Sequence, residues 1–156
     1  MAIRKPLIID KTDGAVKELP VGDHIQEASI GFSGLNNTGG SIIKGTPVNK
    51  TSTTSEVDVA DATDNTLHCV GFAGLEILNT ESGEIQVADT ISCDWTVINL
   101  AGTNLTAGDI YYLSTTAGKI TNDVSAFVGG NVIQKLGIAV STTDLLIEID
   151  RPILLS

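Results

Sequence analysis

Short segments in which apolar and polar residues alternate recur along this chain, and they constrain its fold more than any other feature. The segments SEVDVA (55–60), GEIQVAD (83–89) and TISCDWTVI (90–98) place every second side chain on one apolar face. A period of two residues is typical of a β-strand with one buried and one solvated face. Glycine, asparagine, aspartate and threonine separate the segments, and such residues favour turns. The pattern predicts an all-β fold built from many short strands.

The rest of the chain extends this prediction. Further strand-like segments lie at 67–72, 131–140 and 144–150. The sequence TTAG at 115–118 predicts a hairpin turn, because Gly118 can adopt a positive φ. Helix signals are weak, and only VADATDN (59–65) and VSAFVGG (124–130) could form a turn or two. We therefore expect a small β-barrel or a β-tulip-like sandwich with at most one or two short helices.

A faint internal repeat accompanies the strands. Gly45 and Gly71 lie 26 residues apart, and Gly108 and Gly137 lie 29 apart, each pair within a pattern of turn, strand, loop and strand. Two copies of one supersecondary unit would pack around a shared barrel or sandwich core. Chance similarity among glycine-rich strands explains the same spacing, and the sequence leaves both explanations open.

Charge divides the chain near residue 25. Residues 1–25 hold four of the nine basic residues and an equal number of acidic ones, so the net charge of −10 falls on residues 26–156. Two prolines and the turn KTDG (11–14) also distinguish this part. We interpret residues 1–25 as an extended N-terminal arm and residues 26–156 as a β-barrel domain. The acidic balance disfavours nucleic acid and anionic membranes as partners.

The chain carries no pattern typical of export or membrane insertion. No segment contains 18 consecutive apolar residues, and the start of the sequence has an apolar run of only three before Asp10. We therefore expect neither a signal peptide nor a membrane span. Cys69 and Cys93 both fall in predicted strands, where we expect free, buried thiols of a reducing compartment. A disulfide between them is the less favoured alternative.

The residues that could perform catalysis do not form a known constellation. The histidines are His24 in the arm and His68 in a predicted strand. His68 and Cys69 are adjacent, so on a strand their side chains point to opposite faces and cannot form a nucleophilic pair. Tyr111 and Tyr112 should likewise face opposite sides, one in the core and one at the surface. We expect that the protein is not an enzyme.

Metal and cofactor sites are also not indicated. Asp58, Asp61 and Asp64 are spaced by three residues, unlike the alternate positions of a calcium-binding loop. We interpret them as a solvated loop, with calcium binding as a less favoured alternative. The sequence contains neither of the glycine-rich phosphate-binding patterns of nucleotide-binding proteins, so we expect no cofactor.

Two stretches resemble structural proteins of tailed bacteriophages. The arm, AIRKPLIIDKTDGAVKELPVGD, places a short strand before a turn and ELPVGD. The stretch GDIYYLSTTAGKIT, followed by GNVIQKLGIAVSTTDLLIEI, is similar to capsid decoration (cement) and head-fibre proteins of these phages. Together they cover about a third of the chain, and it departs from the small decoration proteins in its greater length and in its strand-like end RPILLS.

The resemblance implies a function and partners. It implies a homotrimer, made in the host cytoplasm, that binds the major capsid protein on the outer surface of the virion head and stabilises the capsid. The alternative is a head-fibre or tail-fibre module that presents a receptor-binding surface. Because a proline is tolerated in an edge strand but not in a central one, we expect the arm to add a strand to a capsid subunit. The alternative is that the arm folds back as an edge strand of its own trimer. The predicted capsid-binding residues are Ile3, Arg4, Lys5, Pro6, Leu7, Ile8 and Ile9.

Overall fold

The computed structural model describes residues 30–156 and two short strands nearer the N-terminus, β1 (Leu7–Ile9) and β2 (Val16–Glu18). These two strands pair antiparallel, with Leu7 opposite Glu18 and Ile9 opposite Val16. The short strand predicted at the start of the arm is thus confirmed, and it has a partner within the arm itself. The turn predicted at 11–14 lies outside the described residues.

A closed five-stranded barrel follows, which we call the first unit. Its strands are β3 (Gly31–Asn36), β4 (Pro47–Lys50), β5 (Glu56–Val59), β6 (Gly71–Ala73) and β7 (Ser82–Gln86). The order around the barrel is β3-β5-β4-β6-β7. β3 closes it, because it pairs antiparallel with β7 and parallel with β5, where Asn36 lies opposite Val57. The predicted all-β fold with a small barrel is confirmed.

A five-stranded sheet forms the second unit. The remaining elements are β8 (Thr90–Ser92), α1 (Trp95–Ile98), β9 (Ile110–Leu113), β10 (Ile120–Thr121), β11 (Val132–Ile133), β12 (Lys135–Ala139), β13 (Asp144–Ile147) and β14 (Ile153–Leu154). The sheet has the order β10-β9-β12-β13-β8, and β11 pairs separately with β14. The predicted hairpin turn at 115–118 is confirmed, with Gly118 at a φ of 71°.

The segment 90–98 is the main error of the sequence-based prediction. Alternation predicts one strand, whereas β8 ends at Ser92 and α1 begins at Trp95. Asp94 explains the change, because its carboxylate accepts the N–H of Thr96 at 3.1 Å and caps the helix. Trp95 and Ile98, three residues apart, share the buried face of this one turn of helix. Val97, expected to be buried, is 46% exposed.

The pairing of the strands supports the internal repeat, one of the two explanations that the sequence leaves open. β4 pairs with β5 and β6, and β6 pairs with β7; β9 pairs in the same way with β10 and β12, and β12 with β13. The register agrees as well, since Val48 lies opposite Gly71 and Tyr111 opposite Gly137. Equivalent residues from Asn36 to Val59 and from Asn99 to Asn122 are 63 positions apart, and those in β6 and β12 are 66 apart. Before them β3 corresponds to β8, because Phe32 lies opposite Ile85 as Ile91 lies opposite Leu145, and α1 is an insertion of the second unit.

The turn before β4 and the turn before β9 make the same hydrogen bond. The N–H of Gly45 donates to Ala73 O at 2.8 Å, and that of Gly108 donates to Ala139 O at 2.7 Å. Both glycines have a positive φ, 87° and 90°. Residues identical in the two units are Asn36 and Asn99, Gly39 and Gly102, Gly45 and Gly108, Thr53 and Thr116, Gly71 and Gly137, and Ala73 and Ala139.

Asn36 of the first unit and Asn99 of the second make equivalent hydrogen bonds. Asn36 Nδ2 donates to Gly40 O at 2.7 Å, and Asn99 Nδ2 donates to Thr103 O at 3.0 Å. Each asparagine also accepts the N–H of the residue two positions later. Asn99 forms an isolated parallel bridge with Ile120, at the position where Asn36 of β3 pairs with Val57 and closes the first unit.

Each unit has its own hydrophobic cluster, so the expectation of one shared core is wrong. The first cluster comprises Ile42, Val48, Val57, Ala73, Ile77 and Ile85. The second lies inside the second unit and includes Trp95, Tyr111, Leu136 and Leu145. It also includes four buried residues of the first unit, Ala60, Ala62, Cys69 and Phe72. The second cluster therefore spans the contact between the units, where Phe72 packs against Trp95.

Candidate functional site

The paired tyrosines lie on opposite faces of β9, as the sequence predicts. Tyr111 is 1% exposed in the core, and Tyr112 is half-buried. The hydroxyl of Tyr111 accepts the N–H of Thr106 at 3.0 Å. This bond fastens the turn before β9 to the core, so the hydroxyl of Tyr111 has a structural partner.

His68 and Cys69 do not lie on a strand, because β5 ends at Val59 and β6 begins at Gly71. Cys69 is buried, and burial raises the pKa of its thiol to about 12. Its Sγ lies 3.2 Å from the carbonyl oxygen of Gly71, to which the thiol donates. A thiol with this pKa stays protonated at neutral pH and is a poor nucleophile. His24 lies outside the described residues.

Cys69 and Cys93 are free thiols, so the disulfide alternative is wrong. Cys93 follows β8 rather than lying within a strand, and it is half-buried. Burial raises the pKa of its thiol to about 12, and the nearby cation of Lys44 opposes that rise. The Sγ atom packs against Gly45, where a built Cβ would lie 2.4 Å from it. Cys93 is thus part of the contact between the units.

The three aspartates considered for calcium binding each accept hydrogen bonds from nearby backbone N–H or hydroxyl groups. Asp58 accepts the N–H of Val59 at 2.7 Å, and Asp61 and Asp64 each accept an N–H and a hydroxyl from the threonine two residues later. The bonds from Thr66 lower the pKa of Asp64. Across residues 30–156, no three His, Cys, Asp or Glu side chains lie close enough together to hold a metal ion.

The sequence analysis did not predict two polar clusters, a buried one around Gln134 and a half-buried one around Asp144. Gln134 is 2% exposed, and its amide bonds the N–H and C=O of Cys69 at 2.8 and 2.9 Å and also Asp150 O. Asp144 accepts the hydroxyls of Ser92 and Ser141, which lower its pKa. Both clusters join segments far apart in the sequence, so no local pattern could have revealed them.

Of the predicted capsid-binding residues, Leu7, Ile8 and Ile9 form β1. Ile3, Arg4, Lys5 and Pro6 lie outside the described residues. β1 and β2 make up a two-stranded sheet of their own, and among the described strands neither pairs with any strand of the two units. The arm therefore carries a hairpin that is separate from both sheets.

Several large apolar side chains are exposed on the two units. Ile30 (62%) directly precedes β3, and Ile153 (64%) and Leu154 (55%) form β14. Ile110 (39%) lies on the outer face of the second unit, beside the half-buried Ile138, to which it is paired across β9 and β12. An alternating pattern predicts a solvated outer face at Ile110 and Ile138, so the sequence analysis did not identify the apolar surface at these two residues.

An open cavity of about 360 Å³ lies along the β3–β7 pair of the first unit. It is lined by Gly31, Phe32, Ser33, Ser82, Gly83 and Glu84. Phe32 is half-buried and packs against the first cluster. The cavity therefore places one aromatic ring at the surface, between small residues.

Comparisons with known protein families and with curated protein sequences find no match for this chain. In the part of the chain that the structure describes, no helix is long and apolar enough to cross a membrane.

Proposed function

We propose that the protein is a capsid decoration protein of a tailed bacteriophage. In this proposal it binds the outside of the head as a homotrimer and bridges neighbouring major capsid subunits. The resemblance of the arm and of residues 108–121 and 130–149 to phage structural proteins supports the proposal, and so does the all-β fold that this resemblance implies.

The separate hairpin β1–β2 is the observation that carries the proposal. Its strands pair with each other and, among the described strands, with none of either unit. The edge of such a sheet can bind an extended segment through main-chain hydrogen bonds. We infer that a capsid subunit pairs with β1 (Leu7–Ile9) in this way.

The distribution of charge along the chain also supports attachment to the capsid through the arm. Residues 26–156 carry 15 acidic and five basic side chains, whereas the arm is neutral and begins with Arg4 and Lys5. An acidic shell would repel the two units and attract the start of the arm. The arm would then face the shell and the two units would face outward.

Deletion of residues 2–14 tests the attachment. We expect the truncated protein to stay folded and trimeric but to stop sedimenting with undecorated heads of the phage that encodes it. A control chain, in which residues 2–14 are replaced by a glycine-serine segment of equal length, should fail in the same way. Full affinity of either variant for heads would refute the assignment of the arm, and loss of the trimer would show that the arm belongs to the trimer instead.

The copy number on purified particles separates the proposal from its alternative. A decoration protein occupies sites over the whole shell, whereas a head-fibre or tail-fibre module is present in far fewer copies. Quantitative mass determination of the particle, with the major capsid protein as an internal reference, distinguishes the two. A low ratio would favour the fibre module and contradict the decoration role.

A further inference from the structure

β14 (Ile153–Leu154) differs from every other strand within residues 30–156. Each of the other strands has at least one buried residue, whereas both residues of β14 are large, apolar and exposed, Ile153 at 64% and Leu154 at 55%. Successive side chains of a strand point to opposite faces. β14 therefore exposes apolar side chains on both of its faces.

A third exposed apolar side chain, Val128 at 64%, lies beside β14. It belongs to the turn 128–131, in which the Asn131 N–H donates to Val128 O at 3.0 Å. The same turn is bonded to the residue after β14, because the Leu155 N–H donates to Asn131 O at 2.9 Å. Large apolar residues that are exposed close together mark interaction sites on proteins.

The backbone of β14 has an outer edge that no described strand pairs with. β14 pairs antiparallel with β11 alone, and Leu154 lies opposite Val132. The N–H of Val132 points away from β14, because it donates to Ala62 O of the first unit at 2.7 Å. In an antiparallel pair, two residues directly opposite each other either bond to each other or both point away. The N–H and C=O of Leu154 therefore face outward.

This outer edge has little of the protection that exposed strands usually carry. Charged side chains, prolines, bulges or a covering segment normally prevent such an edge from pairing with another chain. Residues 152–156 (PILLS) contain no charged side chain, and Pro152 is their only proline. Pro152 is two positions from Leu154, so its nitrogen also faces outward, as expected of a proline in an edge strand. The backbone groups of Leu154 remain suited to a further strand.

The distribution of charge favours a second copy of this chain as the source of that strand. Residues 26–156 carry 15 acidic and five basic side chains, so two copies repel each other over most of their surfaces. The segments 124–134 and 152–156, which include β11, β14 and the turn beside them, contain no charged side chain. Two copies therefore meet with the least repulsion at β14, whereas a cationic partner would prefer the acidic surfaces.

We propose that two copies of this chain pair antiparallel through the outer edges of β14, with Leu154 of one copy opposite Leu154 of the other. A strand that pairs antiparallel with its own copy is complementary to itself about a two-fold axis, so the contact is isologous. Each Leu154 N–H donates to the Leu154 C=O of the other copy. Leu154 packs against Leu154 on one face of the new sheet, and Ile153 packs against Leu155 on the other.

The pairing goes beyond the proposed function, because it uses neither the arm nor the capsid. A trimer has three β14 edges, so each trimer would contact further trimers and the copies on a shell would also hold one another directly. The contact involves one short strand from each copy, so its area is small. Pairing is therefore weak in dilute solution and stronger at the high local concentration of a decorated shell.

Cysteine substitutions test the pairing and its register in the whole chain without heads. In a Cys93→Ala background, which keeps only the buried Cys69, Leu154→Cys places two thiols opposite each other. Opposite residues of a bonded antiparallel pair have Cα atoms about 5.5 Å apart, within the range of a disulfide. We expect oxidised glutathione to convert this variant to a covalent dimer with twice the chain mass of 16.2 kDa.

Ile153→Cys in the same background is the matched control. Residue 153 lies opposite residue 155 of the other copy and diagonal to residue 153, at about 7–8 Å. We expect Ile153→Cys to dimerise several-fold more slowly than Leu154→Cys, although its position is the more exposed. An equimolar mixture of Ile153→Cys and Leu155→Cys should cross-link faster than either variant alone. Leu75→Cys, at a position that is 64% exposed in the first unit, measures random collisions.

The pattern of rates decides the outcome. Equal rates for Leu154→Cys, Ile153→Cys and Leu75→Cys would show that the dimers arise from random collisions, and would overturn the proposal. A mixture of Ile153→Cys and Leu155→Cys that cross-links no faster than its components would overturn the register.

Leu154→Pro tests the main-chain hydrogen bonds. It removes the outward N–H of residue 154 but keeps the Leu155 N–H that bonds Asn131 O, so the fold should persist in a urea titration. Added to both members of the mixture of Ile153→Cys and Leu155→Cys, it should abolish their cross-link. Cross-linking at the original rate in a folded variant would refute pairing through the strand edge.

Heads distinguish a different occupant of this edge and failure of the proposed function. If Leu154→Cys, labelled with a benzophenone maleimide, photo-cross-links to the major capsid protein on heads but never to its own copies, the edge binds the shell and the proposal is refuted. A protein that does not bind heads but forms the Leu154→Cys dimer would refute the decoration role and leave the pairing of copies standing.

Discussion

Phe72 of the first unit and Trp95 of the second meet edge to face, with ring centroids 6.4 Å apart and ring planes at 84°. Both side chains are 0% exposed, and the indole N–H of Trp95 donates to Thr143 O at 2.7 Å. Aromatic pairs favour this arrangement because the positive edge of one ring faces the negative face of the other. The pair lies in the hydrophobic cluster that joins the second unit to Ala60, Ala62, Cys69 and Phe72 of the first.

Removal of the Phe72 ring should weaken the whole molecule. We expect Phe72→Ala to lower the free energy of unfolding by about 3–5 kcal/mol, because it leaves a cavity between the units. Val97→Ala removes a side chain that is 46% exposed and should change the free energy of unfolding by less than about 0.5 kcal/mol. Urea titration followed by tryptophan fluorescence measures both. Equal effects of the two substitutions would show that the aromatic contact contributes little.

Gly45 and Gly108 form a matched pair for testing the contact between units. Both have a positive φ, so alanine at either position should cost about 1 kcal/mol from backbone strain. Gly45→Ala should cost about 1–3 kcal/mol more, because its Cβ would press on Cys93 Sγ. In thermal unfolding, the Gly108→Ala variant should therefore have a higher melting temperature than the Gly45→Ala variant.

A double-mutant cycle with Cys93→Ala identifies the cause. Removal of Sγ should relieve most of the extra cost of Gly45→Ala, so the two substitutions should be non-additive. Additive effects would indicate that the strain at Gly45 arises elsewhere.

Gln134 should stabilise the packing of Cys69 through its side-chain amide. Gln134→Leu keeps a similar volume but leaves the N–H and C=O of Cys69 without these partners in a buried site. We expect a loss of about 2–4 kcal/mol in the free energy of unfolding, since each unsatisfied buried group costs about 1–3 kcal/mol. Amide hydrogen exchange at Cys69 should accelerate in the variant. Unchanged protection of that amide would contradict this role.

The buried thiol of Cys69 should make stability fall at alkaline pH. Burial raises its pKa from an ordinary value near 9 to about 12, so between these values the unfolded chain loses a proton that the folded chain retains. The free energy of unfolding should therefore fall as pH rises from about 9 to 12, by up to about 1.4 kcal/mol per pH unit for this group.

Cys69→Ala provides the control for this pH dependence. The variant should be less stable at neutral pH but should show a shallower decline between pH 9 and 12. Denaturant titrations at several pH values measure the two slopes. Parallel slopes for the variant and the unaltered protein would assign the alkaline loss to other groups.

The sequence by itself predicted several of the strands and the hairpin turn, and it indicated a repeat without deciding between a repeat and chance. Alternation marked β5 and β7, and Gly118 marked the hairpin turn, because these signals come from neighbouring residues. The glycine spacing indicated two units for the same reason. Local signals failed at 93–98, where alternation continues but the Asp94 cap and the packing of Trp95 produce a helix.

Only the tertiary structure decided which outer faces are covered. Phe72 and Ile138 occupy equivalent positions in β6 and β12, and both point out of their own units, yet Phe72 is 0% exposed and Ile138 is half-buried. The difference arises from Trp95, 23 residues beyond Phe72, which packs on the first unit and has no counterpart on the second. An alternating pattern reports that a strand has two faces, but burial depends on segments distant in sequence that pack against each face.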